Sequence, residues 1–288
     1  MSRAAVRAIK LFEKFSSTGF RGRLTAKFFS GLLKMIHPRA KVIDDNLLIA
    51  YPNSPAQWRK DIRGQVYENL AWTLTEVLAF QRDPAQAFQW VKKVHNIEIL
   101  DDVIHSGKGV LFMTGHFGNW ELLGSWTAQY AAEHRKTLHV LYQELHDQDI
   151  SRYVHQTRER GKMAMLDKNA SVMNLVRMLK KGAYIAFLND VAGLREVSVP
   201  FMGHDSTNMA GPAVMAMLSG VQIVPAFIYR DAPFEHEAEF FEPVKMPDES
   251  LSHDERMRAI VLECNKVYES VIRRRPELWF WLHKRWRP

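Results

Sequence analysis

The segment that most restricts the fold is Gly109-Val-Leu-Phe-Met-Thr-Gly-His116-Phe-Gly-Asn-Trp-Glu121-Leu-Leu-Gly124. Residues 110–113 form a short, unbroken apolar run, the pattern of a buried strand. Thr114-Gly115 stops it with a turn signal, and residues 119–126 begin a helix. The alternation continues along the chain. Further strands are predicted over 138–142, 183–188, 222–229 and 237–241. Helices are predicted over 55–80, 147–160, 170–180 (closed by Gly182), 212–218 and 256–274. The first of these has an apolar face of Trp58, Ile62, Val66, Leu70, Leu74 and Leu78 and is broken by Asp83-Pro84. Strands alternating with helices define an α/β chain, a layered mixed sheet flanked by helices. No internal repeat or low-complexity linker interrupts it.

Residues 211–229 carry no charge over a nearly membrane-spanning length. Gly220 interrupts this run and Pro225 would disrupt a helix. The segment therefore reads as a buried helix followed by a buried strand, and no transmembrane helix is expected. The single cysteine, Cys264, excludes a disulfide framework and suits a reducing compartment. No Gly-x-Ser-x-Gly elbow occurs, which argues against a serine hydrolase.

Charge is unevenly placed. Ten of the 39 basic residues but one of the 32 acidic ones lie within residues 1–41, giving that segment +9 and the rest of the chain −2. A nucleic-acid-binding surface would spread its basic residues across a domain, so no nucleic-acid partner is expected. Val6, Ile9, Phe12 and Phe15 fall at helical spacing, with Arg3, Arg7, Lys10 and Lys14 on another face. Leu24, Phe28, Leu32 and Met35, with Arg23, Lys27 and Lys34, repeat the style. These stretches read as basic amphipathic helices on an anionic membrane surface, or else as surface helices packed on the core. Residues 1–41 are thus separated from a domain over 42–288.

His116 follows a strand at its carboxyl end, where open α/β sheets place their sites. Glu121, five residues on, is close enough to fold back onto the imidazole. A histidine held by a carboxylate is a general base able to activate a hydroxyl. The alternative is a buried histidine satisfied by a nearby acid. Gly115 and Gly118 on either side permit close approach to the backbone. A metal site is not expected, because the pair does not share a helix face and no other His/Cys cluster is near.

The segment resembles the His-x4-Asp/Glu signature of glycerolipid acyltransferases, and more closely that of the bacterial lipid A biosynthesis (late lauroyl/myristoyl) acyltransferases. Four further blocks carry the resemblance, from about residue 40 to the end: Asn46-Leu-Leu-Ile-Ala-Tyr-Pro52; Met165-Leu-Asp with Leu179-Lys-Lys-Gly182; Val199-Pro-Phe-Met-Gly203 with Gly211-Pro212 and Val224-Pro225; and Trp279-Phe-Trp-Leu-His-Lys-Arg-Trp286. The resemblance implies the layered sheet of that family. It implies transfer of an acyl chain from acyl carrier protein or acyl-CoA directly to a hydroxyl of a membrane glycolipid such as a lipid A precursor. His116 would be the base and Glu121 its partner. No cofactor is implied, and the place of action would be the cytoplasmic face of the bacterial inner membrane, held peripherally. By register, Arg158 matches the family's functional arginine and Asp190 a functional acid, with Arg160 a second candidate. Asp190 is also readable as a turn aspartate, and Arg158 as a solvated helix end. The loop from Asp190 to Val199-Pro200 is shorter than usual and Val191 stands where a second acid is common. Gly118 and Asn119, at a helix start, are candidate oxyanion donors. The terminal Trp-rich block suits a membrane interface or a segment packed on the core. A thioesterase or lipid hydrolase using the same pair, and a non-catalytic membrane-binding protein, stay open on the sequence.

Overall fold

The computed structural model describes residues 9–10, 12–13, 16, 18–142, 147–167, 169–191 and 196–286. The elements run in the order α1 (Phe20–Ile36), α2 (Ala40–Ala50), α3 (Ala56–Arg82), α4 (Gln86–Trp90), β1 (Val91–His95), α5 (Ile97–Ser106), β2 (Val110–Thr114), α6 (Trp120–Glu133), β3 (Leu138–Tyr142) and α7 (Gln148–Arg160). They continue with β4 (Ala164–Asp167), α8 (Val172–Lys180), β5 (Tyr184–Leu188), β6 (Glu196–Phe201), β7 (His204–Met209), α9 (Gly211–Ser219), β8 (Gln222–Ala232), β9 (Glu235–Phe240) and α10 (His253–Arg274). Pro276–Leu278 forms a final 3₁₀ turn.

Seven strands build one mixed sheet in the order β1-β9-β8-β2-β5-β3-β4. β8 and β9 are an antiparallel hairpin; every other neighbouring pair in the sheet is parallel. The central strands are apolar throughout because both faces are covered. Leu111 and Met113 of β2 enter the core on one side, shared with Ile185, Phe187 and Phe227. Val110 and Phe112 enter the core on the other, with Tyr184, Val224 and Ile228. α10 contributes Cys264 and Tyr268 to the first core, and α6 contributes Leu122 and Trp126 to the second.

The expected strand-and-helix alternation is present, with residues 211–229 forming α9 and most of β8. Among the described residues no helix is long and apolar enough to cross a membrane. Elements not anticipated are mostly marginal to the sheet. β1 is an edge strand with exposed Lys92 and Lys93, charges that blunt an edge and erase the apolar signal. β4 closes the other edge with four residues. The Val199-Pro-Phe-Met-Gly203 block is a separate two-stranded hairpin, β6–β7. Met202 (φ 53°) and Gly203 (φ 81°) supply the two positive dihedrals that a tight hairpin turn requires.

The first amphipathic stretch, from Arg3 to Phe15, lies largely outside the described residues. The second is α1, and it packs against α3. Its buried residues are the small ones, Gly22, Thr25 and Ala26. Phe20, Leu24, Phe28, Met35 and Ile36 are exposed, Phe20 by 80%.

Candidate active site

β2 and β5 are adjacent, parallel and in register, with Thr114 opposite Leu188. Their following loops therefore leave the sheet together, and this brings His116 onto Asp190. Asp190 Oδ1 lies 2.9 Å from His116 Nδ1. Asp190 Oδ2 accepts from the His116 backbone N–H at 2.7 Å and from Trp279 Nε1 at 2.9 Å. Tyr268 braces both strand ends, donating to Thr114 O and accepting from Asn189 N–H. Gly115 is required here, because a Cβ would lie 2.8 Å from Tyr268 Cε1 and 3.0 Å from Asp190 Cγ. The imidazole edge meets Trp120, ring centroids 5.0 Å apart, and Phe280 lies on another side at 5.7 Å.

This geometry fixes the tautomer. Nδ1–H donates to Asp190, so Nε2 carries the free lone pair. Burial alone would lower the His116 pKa, but the Asp190 carboxylate, and more weakly the Glu121 charge, raise it above 6.5. Burial conversely opposes ionisation of Asp190, and the His116 imidazole and the Trp279 N–H outweigh it, holding its pKa below 3.8.

Glu121 stands in the first turn of α6, but its carboxylate does not fold back onto the imidazole. It turns to α7 and pairs with Arg158 through two bonds, Oε1 to Nη2 at 2.6 Å and Oε2 to Nε at 3.0 Å. The fork of the guanidinium satisfies both oxygens, a match the imidazole cannot offer. Both side chains are 18% exposed. The structure thus divides the expected roles: Asp190 holds the histidine, and Glu121 fixes Arg158 while acting on His116 through space.

The oxyanion role expected of Gly118 and Asn119 meets donors that are already engaged. Gly118 N–H bonds Leu278 O at 2.9 Å. Asn119 is 1% exposed; its Oδ1 caps α6 by accepting from Leu122 N–H, and its Nδ2 donates to Glu76 Oε2 at 2.8 Å. Gly118 is glycine for backbone reasons, with φ 58° and a Cβ position 2.1 Å from Ile228 O. Arg160 bonds Gln81 O and Oε1, joining α7 to α3 rather than joining Arg158 at Glu121.

The terminal Trp block packs on the core. Trp279 and Trp281 are buried, and Asn46 binds the carbonyls of Trp281 and His283. This tethers the Asn46 block to the end of the chain. Trp279 and Tyr268 are site residues that sequence reasoning missed. Trp279 lay within a block already singled out, but nothing in spacing assigned its indole N–H to Asp190.

A carboxylate-held histidine where parallel strands end has the geometry to take a proton from a hydroxyl. The family model of bacterial lipid A biosynthesis acyltransferase matches residues 16–288, and the chain belongs to that family. It is an acyltransferase. It is similar to the lipid A biosynthesis lauroyltransferase of Escherichia coli (strain K12), 24% identical over 259 residues that cover 88% of this chain and 81% of the relative. It is also similar to the lipid A biosynthesis palmitoleoyltransferase of the same organism, 25% identical over 86% of this chain and 79% of the relative. A lipid A biosynthesis acyltransferase of Shigella flexneri matches to the same extent.

Proposed function

We propose that the chain transfers a fatty acyl group from a thioester donor, acyl carrier protein or acyl-CoA, to a hydroxyl of a lipid A precursor or a closely related membrane glycolipid. The observation that carries this reading is the Nδ1-to-Asp190 bond, which leaves Nε2 of His116 as the base. Nε2 takes the acceptor hydroxyl proton as the oxygen attacks the thioester carbonyl. The tetrahedral intermediate collapses, the C–S bond breaks, and the imidazolium returns its proton to the leaving thiolate. Asp190 stabilises the imidazolium in between, as the acid does in a Ser-His-Asp triad. Arg158, held by Glu121, presents positive charge for a phosphate of the acceptor or donor.

The surface of α1 supports peripheral attachment to the inner membrane's cytoplasmic face. An ordinary surface helix buries its large apolar residues. α1 buries Gly22, Thr25 and Ala26 and turns Phe20, Leu24, Phe28 and Met35 outward among Arg21, Arg23, Lys27 and Lys34. Exposed apolar side chains among cations suit an anionic bilayer. In this reading residues 1–41 are the membrane-contacting segment of an acyltransferase domain over 42–288.

The test is a reconstituted assay with an acyl thioester and a lipid A precursor in mixed micelles. Wild type is expected to yield the acylated glycolipid, and His116→Ala to lose almost all transfer while staying folded. Full transfer by folded His116→Ala, or acceptor-independent release of free fatty acid as the main product, contradicts the proposal.

A further inference from the structure

Outside the His116 site, a connected set of buried polar groups lies between α3 and the β8–β9 hairpin. Asn69, Thr73 and Glu76 share one face of α3, at helical spacing. Glu76 is fully buried, and its carboxylate meets four groups. It forms an ion pair with Arg230, and it accepts from His236 Nε2 at 3.1 Å, Phe234 N–H at 3.2 Å and Asn119 Nδ2 at 2.8 Å. Arg230 is itself 8% exposed and donates onward to Thr73 Oγ1 at 2.8 Å and Asn69 Oδ1 at 3.3 Å.

Three branches reach the turn that separates His116 from Glu121, one of them through Leu278 O, while Phe234 and His236 tie Glu76 to the β8–β9 hairpin. Thr73 Oγ1 donates to Gly118 O at 3.1 Å. Asn69 Nδ2 donates to Leu278 O at 3.3 Å, the carbonyl that also receives Gly118 N–H. Asn119 reaches Glu76 with one end of its amide and caps α6 with the other. Burying a carboxylate and a guanidinium is expensive, and apolar residues of similar volume would fill the same space. Burial opposes the charge on Glu76, yet Arg230 and His236 hold its pKa at about 2. What the ionic cluster supplies that an apolar core would not is direction: a fixed acceptor for one particular amide.

We infer that Glu76 is a positioning residue of the transfer reaction, acting through Asn119 to set the start of α6, and with it the placement of Glu121 and Arg158 relative to His116. The inference rests on the acyl-transfer reading of the His116 site.

Asn119→Ser tests it, because serine keeps the helix cap and removes the donor to Glu76. Glu76 retains its other three donors, so the variant folds. The expected result is a fall in kcat of about tenfold or more, with KM for donor and acceptor unchanged within about twofold. A second readout is the exchange Glu76→Gln with Asn119→Asp. It reverses donor and acceptor across the same contact, and is expected to exceed Asn119→Asp alone in kcat. Ile104→Ala, a cavity in the core remote from the turn, is the stability control and is expected to keep kcat. The inference is overturned if Asn119→Ser keeps wild-type kcat, if Ile104→Ala loses as much, or if the exchange gains nothing over Asn119→Asp. Should His116→Ala itself retain transfer, it is the underlying reading that fails, whichever way Asn119→Ser behaves.

Discussion

Replacing Asp190 with asparagine keeps the shape of the side chain and changes its chemistry at one point. The wild-type carboxylate accepts from three buried N–H groups: His116 Nδ1, His116 N and Trp279 Nε1. An asparagine has one oxygen to offer and presents an NH2 where the second oxygen was. If the amide oxygen keeps the two Oδ2 donors, its NH2 faces Nδ1 and forces the proton to Nε2, the atom that must be bare. A hydrogen bond to a charged group contributes about 1.5–3 kcal/mol, so losing the one from Nδ1 in the transition state costs about that much. At 1.36 kcal/mol per decade this is a fall of about 10- to 10²-fold in kcat/KM. Holding the proton on Nε2 adds to this loss, and the wrong tautomer from the same exchange in a Ser-His-Asp triad costs about 10⁴-fold in kcat. The pH dependence supplies an independent check. In the proposed mechanism transfer needs uncharged His116, whose pKa, lowered by burial, the Asp190 charge raises above 6.5. The acid limb of the wild-type rate profile therefore lies above pH 6.5, and in Asp190→Asn it moves down. Stability follows linkage. The raised His116 pKa contributes stability present below pH 6.5 and lost as pH rises through the folded value. The lowered Asp190 pKa contributes stability present above pH 3.8 and lost as pH falls through the folded value. The difference in Tm between wild type and Asp190→Asn is thus widest between about pH 4 and 6.5, the span between the ordinary values of the two groups. Steady-state kinetics and calorimetry across pH measure both. Residual kcat/KM within about fivefold of wild type, with an unmoved acid limb, would refute the assignment of Asp190 as the histidine's partner.

Arg158→Met strands the largely buried Glu121 carboxylate and is expected to cost about 3 kcal/mol of stability. Adding Glu121→Gln should restore most of the Tm while transfer stays low, a result read by paired melting curves and kinetics. Gly118→Ala forces a left-handed backbone, costing about 1 kcal/mol, and drives its Cβ into Ile228 O. Soluble yield should collapse, and normal expression and Tm would show that the turn is free to move. Changing Phe20, Leu24 and Met35 of α1 to serine removes three exposed apolar side chains. At about 1 kcal/mol each for partial insertion, partitioning onto anionic vesicles should fall roughly 100-fold with the fold intact, as measured by sedimentation; unchanged partitioning would place the membrane contact elsewhere.

The central fold was legible because β2, β5 and β8 are buried on both faces and so read as unbroken apolar runs ended by turns. The edges were not. β1 carries lysines that guard an open sheet edge, and β4 is too short to show a period. His116 was legible from its place at a strand end, and Arg158 and Asp190 from the family blocks around them. Their pairing was not, because proximity along the chain suggested His116 with Glu121. The register of β2 with β5 instead sets Asp190 against the imidazole, and the helical start at Trp120 carries Glu121 towards α7. Glu76, Arg230 and His236 were invisible for a similar reason. Each lies alone in an ordinary stretch of sequence, and only the packing of α3 on the β8–β9 hairpin joins them. Asn119 shows the limit most plainly, since a helix-cap residue and an oxyanion donor look alike in sequence and only the partners of its amide separate them.

The most direct test of the central claim is mass spectrometry of total lipids from the native host with the gene deleted, then restored as wild type or as His116→Ala. The account predicts a lipid A or related glycolipid lighter by one acyl chain in the deletion, corrected by wild type and not by His116→Ala. An unchanged set of acylated lipids in the deletion, with any second acyltransferase also removed, would contradict it.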